Sequence, residues 1–179
     1  MQNLRRAALF AREAHEGQLR DGKGEPCIVH PMRVAGRTIL LDYDRDGIDA
    51  DEDMVVAAWL HDVIEDTSVT RDSIRREFGW RVEELVVELT NHYTKVAYPD
   101  LKRAERKTLE LGRLADISRR ALVIKLIDRI DNLRDINPTT PFAKVYSQES
   151  TGLVTLGERR GLKLAAELRD AIESLQARA

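Results

Sequence analysis

The sequence predicts an all-α protein, a compact single domain of eight to ten helices. Apolar residues recur at i, i+3, i+4 and i+7 along nearly the whole chain. No segment alternates apolar and polar residues as a half-buried strand does. Glycine-, proline- and aspartate-rich breaks separate the periodic stretches at helix-length intervals, without an internal repeat.

The elements follow in order. Residues 3–16 carry Leu4, Ala8, Ala11 and His15 on one helical side. "GQLRDGKGEP", with three glycines and a proline, is a loop. A helix runs from Pro31 to about Leu41, since proline suits a first turn. The acidic loop "DYDRDGIDADED" feeds a helix that Asp51 or Asp53 can cap. Thr70 caps a short helix to Phe78, stopped by Gly79, and Val82, Leu85, Val86 and Leu89 mark the next. The polar link "NHYTKVAYPD" leads to a charged helix at 100–113, and the strongest helix spans 116–136. "NPTTP" breaks the chain before helices at 141–153 and 158–177.

The totals exclude several classes. With 179 residues, 42% of them hydrophobic, the chain buries a real core and reads as one domain over 1–179. A net charge of −2 with mixed signs is no nucleic-acid footprint, so no nucleic-acid partner is expected. No apolar run reaches membrane-spanning length, and "MQNLRRAALFAREAHEG" reads as a first helix and not a signal peptide. The single cysteine, Cys27, forbids an internal disulfide and fits a cytoplasmic location. The last 40 residues are expected to cover the core, and they can supply a face for self-association.

The chemistry concentrates in "AWLHDVIEDT", residues 57–66. With His61 at zero on a continuous helix, Glu65, Asp62 and Asp66 fall near about 40°, 100° and 140°, opposite Val56, Trp59, Leu60, Val63 and Ile64. Three carboxylates crowded beside an imidazole repel one another unless a cation sits among them. Along "ALVIKLIDRIDNLRDI", residues 121–136, Lys125, Asp128 and Asn132 cluster beside an aliphatic side. For Asp128 the alternatives are a salt bridge to Lys125 or Arg129 and a metal ligand. His30 stands at a loop-to-helix junction in "EPCIVHPMRVAG". His30, His61, Asp62 and Asp128 together offer two nitrogens and two oxygens. That set suits Mn²⁺, with Fe²⁺ or Mg²⁺ less well matched, and a structural zinc would recruit cysteines.

This order of H…HD…D on helices resembles the HD superfamily of metal-dependent phosphohydrolases. "AHEGQLRDGKGEPCIVHP", "LHDVIEDT", "EFGWRVEELVVELT" and "IKLIDRIDNLRDI" are similar, in order, to the hydrolase domain of the RelA/SpoT alarmone enzymes. The likeness covers about residues 5–136, with helices at 141–179 completing an HD-type domain. At this length it implies a stand-alone small alarmone hydrolase of the Mesh1 type, without a synthetase domain. The resemblance implies Mn²⁺-dependent removal of the 3′-pyrophosphate from ppGpp or pppGpp, giving GDP or GTP plus pyrophosphate. It implies His30, His61, Asp62 and Asp128 as metal ligands, Glu65 and Asp66 as the catalytic acidic pair, and Asn132 near the nucleotide. Arg20, Lys23 and Lys95 are the candidate phosphate contacts. His15 and His92 are given no role.

The chain departs from the family pattern around the substrate. Asp21 stands where a lysine is expected, Cys27 replaces an aromatic ring, and Asp131 replaces a histidine or tyrosine. Two other readings therefore compete. One is an HD phosphohydrolase acting on another nucleotide, such as NADPH or a nucleoside monophosphate. The other is a nucleotide-binding regulatory module without catalysis.

Overall fold

The computed structural model describes residues 2–20 and 24–178. In chain order the helices are α1 Gln2–Ala14, α2 Val29–Ile39, α3 Tyr43–Asp46, α4 Glu52–Leu60, α5 Val63–Asp66, α6 Arg71–Phe78, α7 Trp80–Leu89, α8 Arg103–Leu114, α9 Arg119–Asp135, α10 Pro141–Arg159 and α11 Leu164–Ala177. Two of these eleven, α3 and α5, are turns of four residues, and the other nine have eight residues or more. The described residues hold no strand; one isolated bridge, Leu19 to Pro26, closes the first loop. No helix among them is long and apolar enough to cross a membrane. The all-α expectation stands.

The helices gather into two compact units, Met1–Asp42 with Ile48–Thr90, and Tyr43–Gly47 with Asn91–Ala179. In the first, α1, α2 and α7 pack on α4. Met54, Val55, Val56, Ala57, Ala58 and Leu60 of α4 are all buried, so this helix is enclosed on every side. Of the two candidate caps, Asp51 is the one used: its Oδ1 accepts from Met54 N–H at 2.9 Å. A helix enclosed in this way carries the residue after it, His61, into the interior. At the far side, Thr70 caps α6, and Gly79 at φ +87° ends it and starts α7.

In the second unit, α9 is the spine. It holds ten buried residues, Lys125 and Asp128 among them, and α10 and α11 pack on it. Ser118 caps it, its side chain accepting from Ala121 N–H at 3.1 Å. The sequence reading ends α10 at 153 and starts the last helix at 158; α10 instead continues to Arg159. Two glycines explain the difference, because they serve contact and not breakage. A Cβ at Gly157 would lie 3.0 Å from Ala165 Cβ and 3.2 Å from Leu126 Cδ1, and one at Gly152 would run into the Leu111 methyls. The stop comes later. Gly161, at φ +64°, donates to Glu158 O at 2.9 Å and Leu162 N–H donates to Gly157 O at 2.9 Å, a Schellman closure.

These contacts separate two otherwise similar substitutions. Gly157→Val overpacks the seam and should lower stability by about 1–3 kcal/mol. Gly112→Ala in α8, where a Cβ meets nothing within 4 Å, should raise it by about 0.5–1 kcal/mol. Chemical denaturation of both variants gives the two signs.

Candidate metal centre

In the first unit, backbone turns bring two imidazoles together. α2 begins at Val29, earlier than the expected Pro31, because Val29 N–H and His30 N–H close turns onto Pro26 O and Cys27 O, each at 3.1 Å. His30 therefore lies within the first helical turn. His61 is the C-cap of α4, and the continuous helix expected through residues 57–66 breaks there. Asp62, at φ −100° and ψ −9°, makes the step into the separate turn α5.

His61 Nε2 lies 3.2 Å from His30 Nε2 and 3.0 Å from Asp62 Oδ2, and His30 Nε2 lies 3.6 Å from the same oxygen. The rings meet edge to face at 72°, 5.0 Å between centroids. His30 and His61 are 3% and 1% exposed, while the Asp62 side chain is 23% exposed and leaves the cluster a path to solvent. His61 Nδ1 lies 2.8 Å from Ala58 O, and a carbonyl can only accept. Nδ1 therefore carries a proton, and in its neutral form the ring presents a bare lone pair at Nε2. That lone pair faces a carboxylate oxygen, and two acceptors this close need positive charge between them. A proton serves one contact, whereas a divalent cation serves all three atoms at once. A backbone carbonyl fixing the tautomer of an inward-facing imidazole is the outer support that metal-binding histidines use. The donor set fits a cation with mixed nitrogen and oxygen preference.

Glu65 and Asp66 hang from the same turn, since their N–H groups donate to Asp62 O at 3.1 and 3.0 Å. Asp66 reaches solvent on one side, yet desolvation on the other raises its pKa; the Asp62 charge raises it further, and His15, His61 and His30 pull against the shift. A carboxyl raised in the native state binds its proton more tightly there than in the unfolded chain. Its contribution to stability is complete at acid pH and is lost as pH rises through the native value. Asp66→Asn should therefore stabilise the metal-free protein at neutral pH, with the gain shrinking on acidification. Denaturation midpoints in EDTA at pH 7 and pH 4 measure this.

Sequence reasoning missed Gln18. Its Nε2–H donates to Asp66 O at 2.8 Å, so its Oε1 is the acceptor for His15 Nδ1–H at 2.8 Å. His15 is buried, and its Nε2 meets no partner among the described residues. "AHEGQ" carries both residues, but nothing in that stretch marks Asp66 as their partner. Arg20 is half-buried where the first loop leaves the Leu19–Pro26 bridge, its N–H bonded to Glu25 O at 2.8 Å. Lys23, like Asp21, lies outside the described residues.

Three further candidates belong to the second unit. Asp128 is buried in α9, where Asn132 Nδ2–H donates to its Oδ1 at 2.6 Å and Lys125 Nζ lies 3.2 Å from its Oδ2. The cluster expected from spacing is thus formed, and Lys125 is the buried charge that balances Asp128. Lys95 is exposed in a turn of the loop after Thr90. That loop is held by Glu110, whose Oε2 accepts from His92 and Tyr93 N–H at 3.0 and 3.1 Å.

Comparison with known proteins bears on this arrangement. The HD domain family model matches residues 7–162. Human guanosine-3′,5′-bis(diphosphate) 3′-pyrophosphohydrolase MESH1 is 40% identical over 141 residues, covering 77% of this chain and 72% of MESH1. The bifunctional (p)ppGpp synthase/hydrolase SpoT of Escherichia coli K12 is 39% identical over 144 residues, 79% of this chain and 19% of SpoT. The chain thus spans about a fifth of the length of the bacterial relatives it matches first. A solved structure of a metazoan orthologue of SpoT, described as hydrolysing ppGpp with a role in starvation responses, superposes with a TM-score of 0.79 at 30% identity, covering 98% of this chain and 97% of the other. The lmo0812 protein of Listeria monocytogenes EGD-e, at 24% identity and a TM-score of 0.62 over 86% of this chain, shares the fold.

Proposed function

Because the chain belongs to the HD-domain family, we propose that it is a Mn²⁺-dependent guanosine-3′,5′-bis(diphosphate) 3′-pyrophosphohydrolase, converting ppGpp or pppGpp into GDP or GTP plus pyrophosphate. One observation carries the reading: two buried imidazole nitrogens and a carboxylate oxygen converge within 3.0–3.6 Å, with His61 Nδ1 bonded to Ala58 O. His30, His61 and Asp62 would hold the ion. Asp128 completes the set in this reading, supported by its burial amid aliphatic residues and by the family-like stretch around it. Two nitrogens and two oxygens favour Mn²⁺ over the all-oxygen preference of Mg²⁺. A cytoplasmic setting belongs to the same reading, supported by the single cysteine.

When bound, the ion supplies Lewis acidity, lowering the pKa of water and offsetting charge on phosphoryl oxygens. The side chains do the rest. Water attacks the phosphorus next to the 3′ oxygen, the P–O3′ bond breaks, and the 3′ oxygen takes up a proton as pyrophosphate leaves. Glu65 and Asp66 orient the water and handle its proton. Asp66 is suited to hold and return that proton, because desolvation favours its protonated form. Arg20 and Lys95, with Lys23, are assigned to the substrate phosphates and Asn132 to the nucleotide.

The test is turnover of ppGpp with and without Mn²⁺, following GDP and pyrophosphate. Stoichiometric release of both, abolished by EDTA and restored by Mn²⁺, is the expected result. Inorganic phosphate from NADPH or a nucleoside monophosphate, with ppGpp left intact, would assign the site to another nucleotide. Binding of ppGpp without turnover would make the chain a regulatory module.

A further inference from the structure

In the second unit, residues of α8, α9 and α10 line a half-open cavity of about 530 Å³, a size that admits a nucleotide. None of the residues assigned above lines it. Its apolar wall includes Leu111, Leu114, Val145 and Leu153, and three cations also line it: Arg103, Lys107 and Arg129. Two carboxylates are present as well, but both are committed elsewhere. Glu149 takes a two-pronged contact from Arg103, at 2.7 and 2.8 Å. Glu110 accepts the two loop N–H groups and pairs with Arg113 at 2.6 Å.

Lys107 and Arg129 form no ion pair among the described residues, and the carboxylate that acts on Lys107, Glu149, is already held by Arg103. Arg129 stacks on Tyr146, its guanidinium carbon 4.4 Å from the ring centroid. Its Nη1–H donates to Ser150 Oγ at 3.3 Å, and its Nε is buried without a partner. Lys107 has no hydrogen bond or ion pair among the described residues. Burial, followed by the charge of Arg129, lowers the Lys107 pKa, and the Glu149 charge pulls against the shift. Two cations that share one committed carboxylate beside an apolar wall repel each other, and an anion relieves that repulsion.

We propose that this cavity binds a phosphorylated ligand of nucleotide size, with Lys107 and Arg129 contacting its phosphates and the leucine-lined wall receiving the apolar portion. Arginine presents a planar fork and lysine a point charge, the combination that phosphate groups accept. The site goes beyond the hydrolase reading, because it needs neither the metal nor the acidic pair.

The test is calorimetric titration of GDP into the full chain in EDTA, alongside Lys107→Gln, Lys107→Glu and Arg129→Lys. Wild type is expected to bind one GDP in this cavity, Lys107→Gln at least tenfold more weakly, and Lys107→Glu not measurably. Thermal unfolding of the Lys107 variants should match or exceed wild type, since a half-buried cation repelled by Arg129 has been removed. Arg129→Lys keeps the charge and loses the fork, and is expected to fall between. Equal GDP affinity in all four proteins, or none in wild type, overturns the proposal. Pyrophosphate binding as tightly as GDP would reassign the cavity to a bare anion and overturn the nucleotide assignment. Mn²⁺-dependent ppGpp turnover in the same samples reports separately on the hydrolase.

Discussion

Alanine at His61 is expected to strip the protein of bound Mn²⁺ and to lower ppGpp turnover by three orders of magnitude or more. Losing an outer-shell partner of a metal ligand already costs about 10–100-fold, so losing the ligand itself should cost on the order of 10³-fold or more. The Nε2 lone pair of His61 is the point at which His30 and Asp62 both converge, at 3.2 and 3.0 Å. Glu65→Gln gives the contrasting outcome: full metal content by elemental analysis, with kcat down by roughly 10²–10⁴-fold. Metal retained by His61→Ala, or lost by Glu65→Gln, would show that the two roles are misassigned.

Asp128→Ala should be the most destabilising single change among the proposed site residues. Asp128 and Lys125 are 7% and 5% exposed and 3.2 Å apart, so removing one takes this partner from a charge that stays in the interior. Breaking such a pair costs about 3–5 kcal/mol, a large part of the stability of a domain this size. An inactive Asp128→Ala preparation would therefore not distinguish a lost ligand from a lost fold. The double variant Lys125→Met with Asp128→Leu removes both charges, and apolar replacement of a buried pair is commonly neutral or stabilising by about 1–4 kcal/mol. The expected result is a folded double variant, cooperative in denaturation, without ppGpp turnover. Turnover retained by that folded protein would leave Asp128 a purely structural residue.

Much of this arrangement was legible in sequence because it depends on local spacing. The His61–Asp66 cluster and the Lys125–Asp128–Asn132 face both follow from positions within two turns of one another. What spacing could not supply was the helix break at His61 and Asp62, since every residue from Glu52 to Asp66 tolerates helical backbone. The break belongs to a helix end where an imidazole N–H takes the Ala58 carbonyl. The full length of α10 was hidden for a different reason. Glycine reads locally as a breaker, and only tertiary contact, with Ala165 and Leu126 at Gly157, explains its place within a helix. Gln18 was invisible because its function depends on a partner 48 residues away.

Gln18 also fastens the first loop, since its carbonyl accepts from Cys27 N–H at 2.9 Å while its amide grips Asp66. The base of the loop and the acidic turn thus share one residue as a strut. Swapping this loop between relatives to change nucleotide preference would have to move residues 15–27 as a block. A graft limited to the loop tip leaves that strut in place, and one that cuts through it is expected to shift the turn carrying Asp66 together with the specificity.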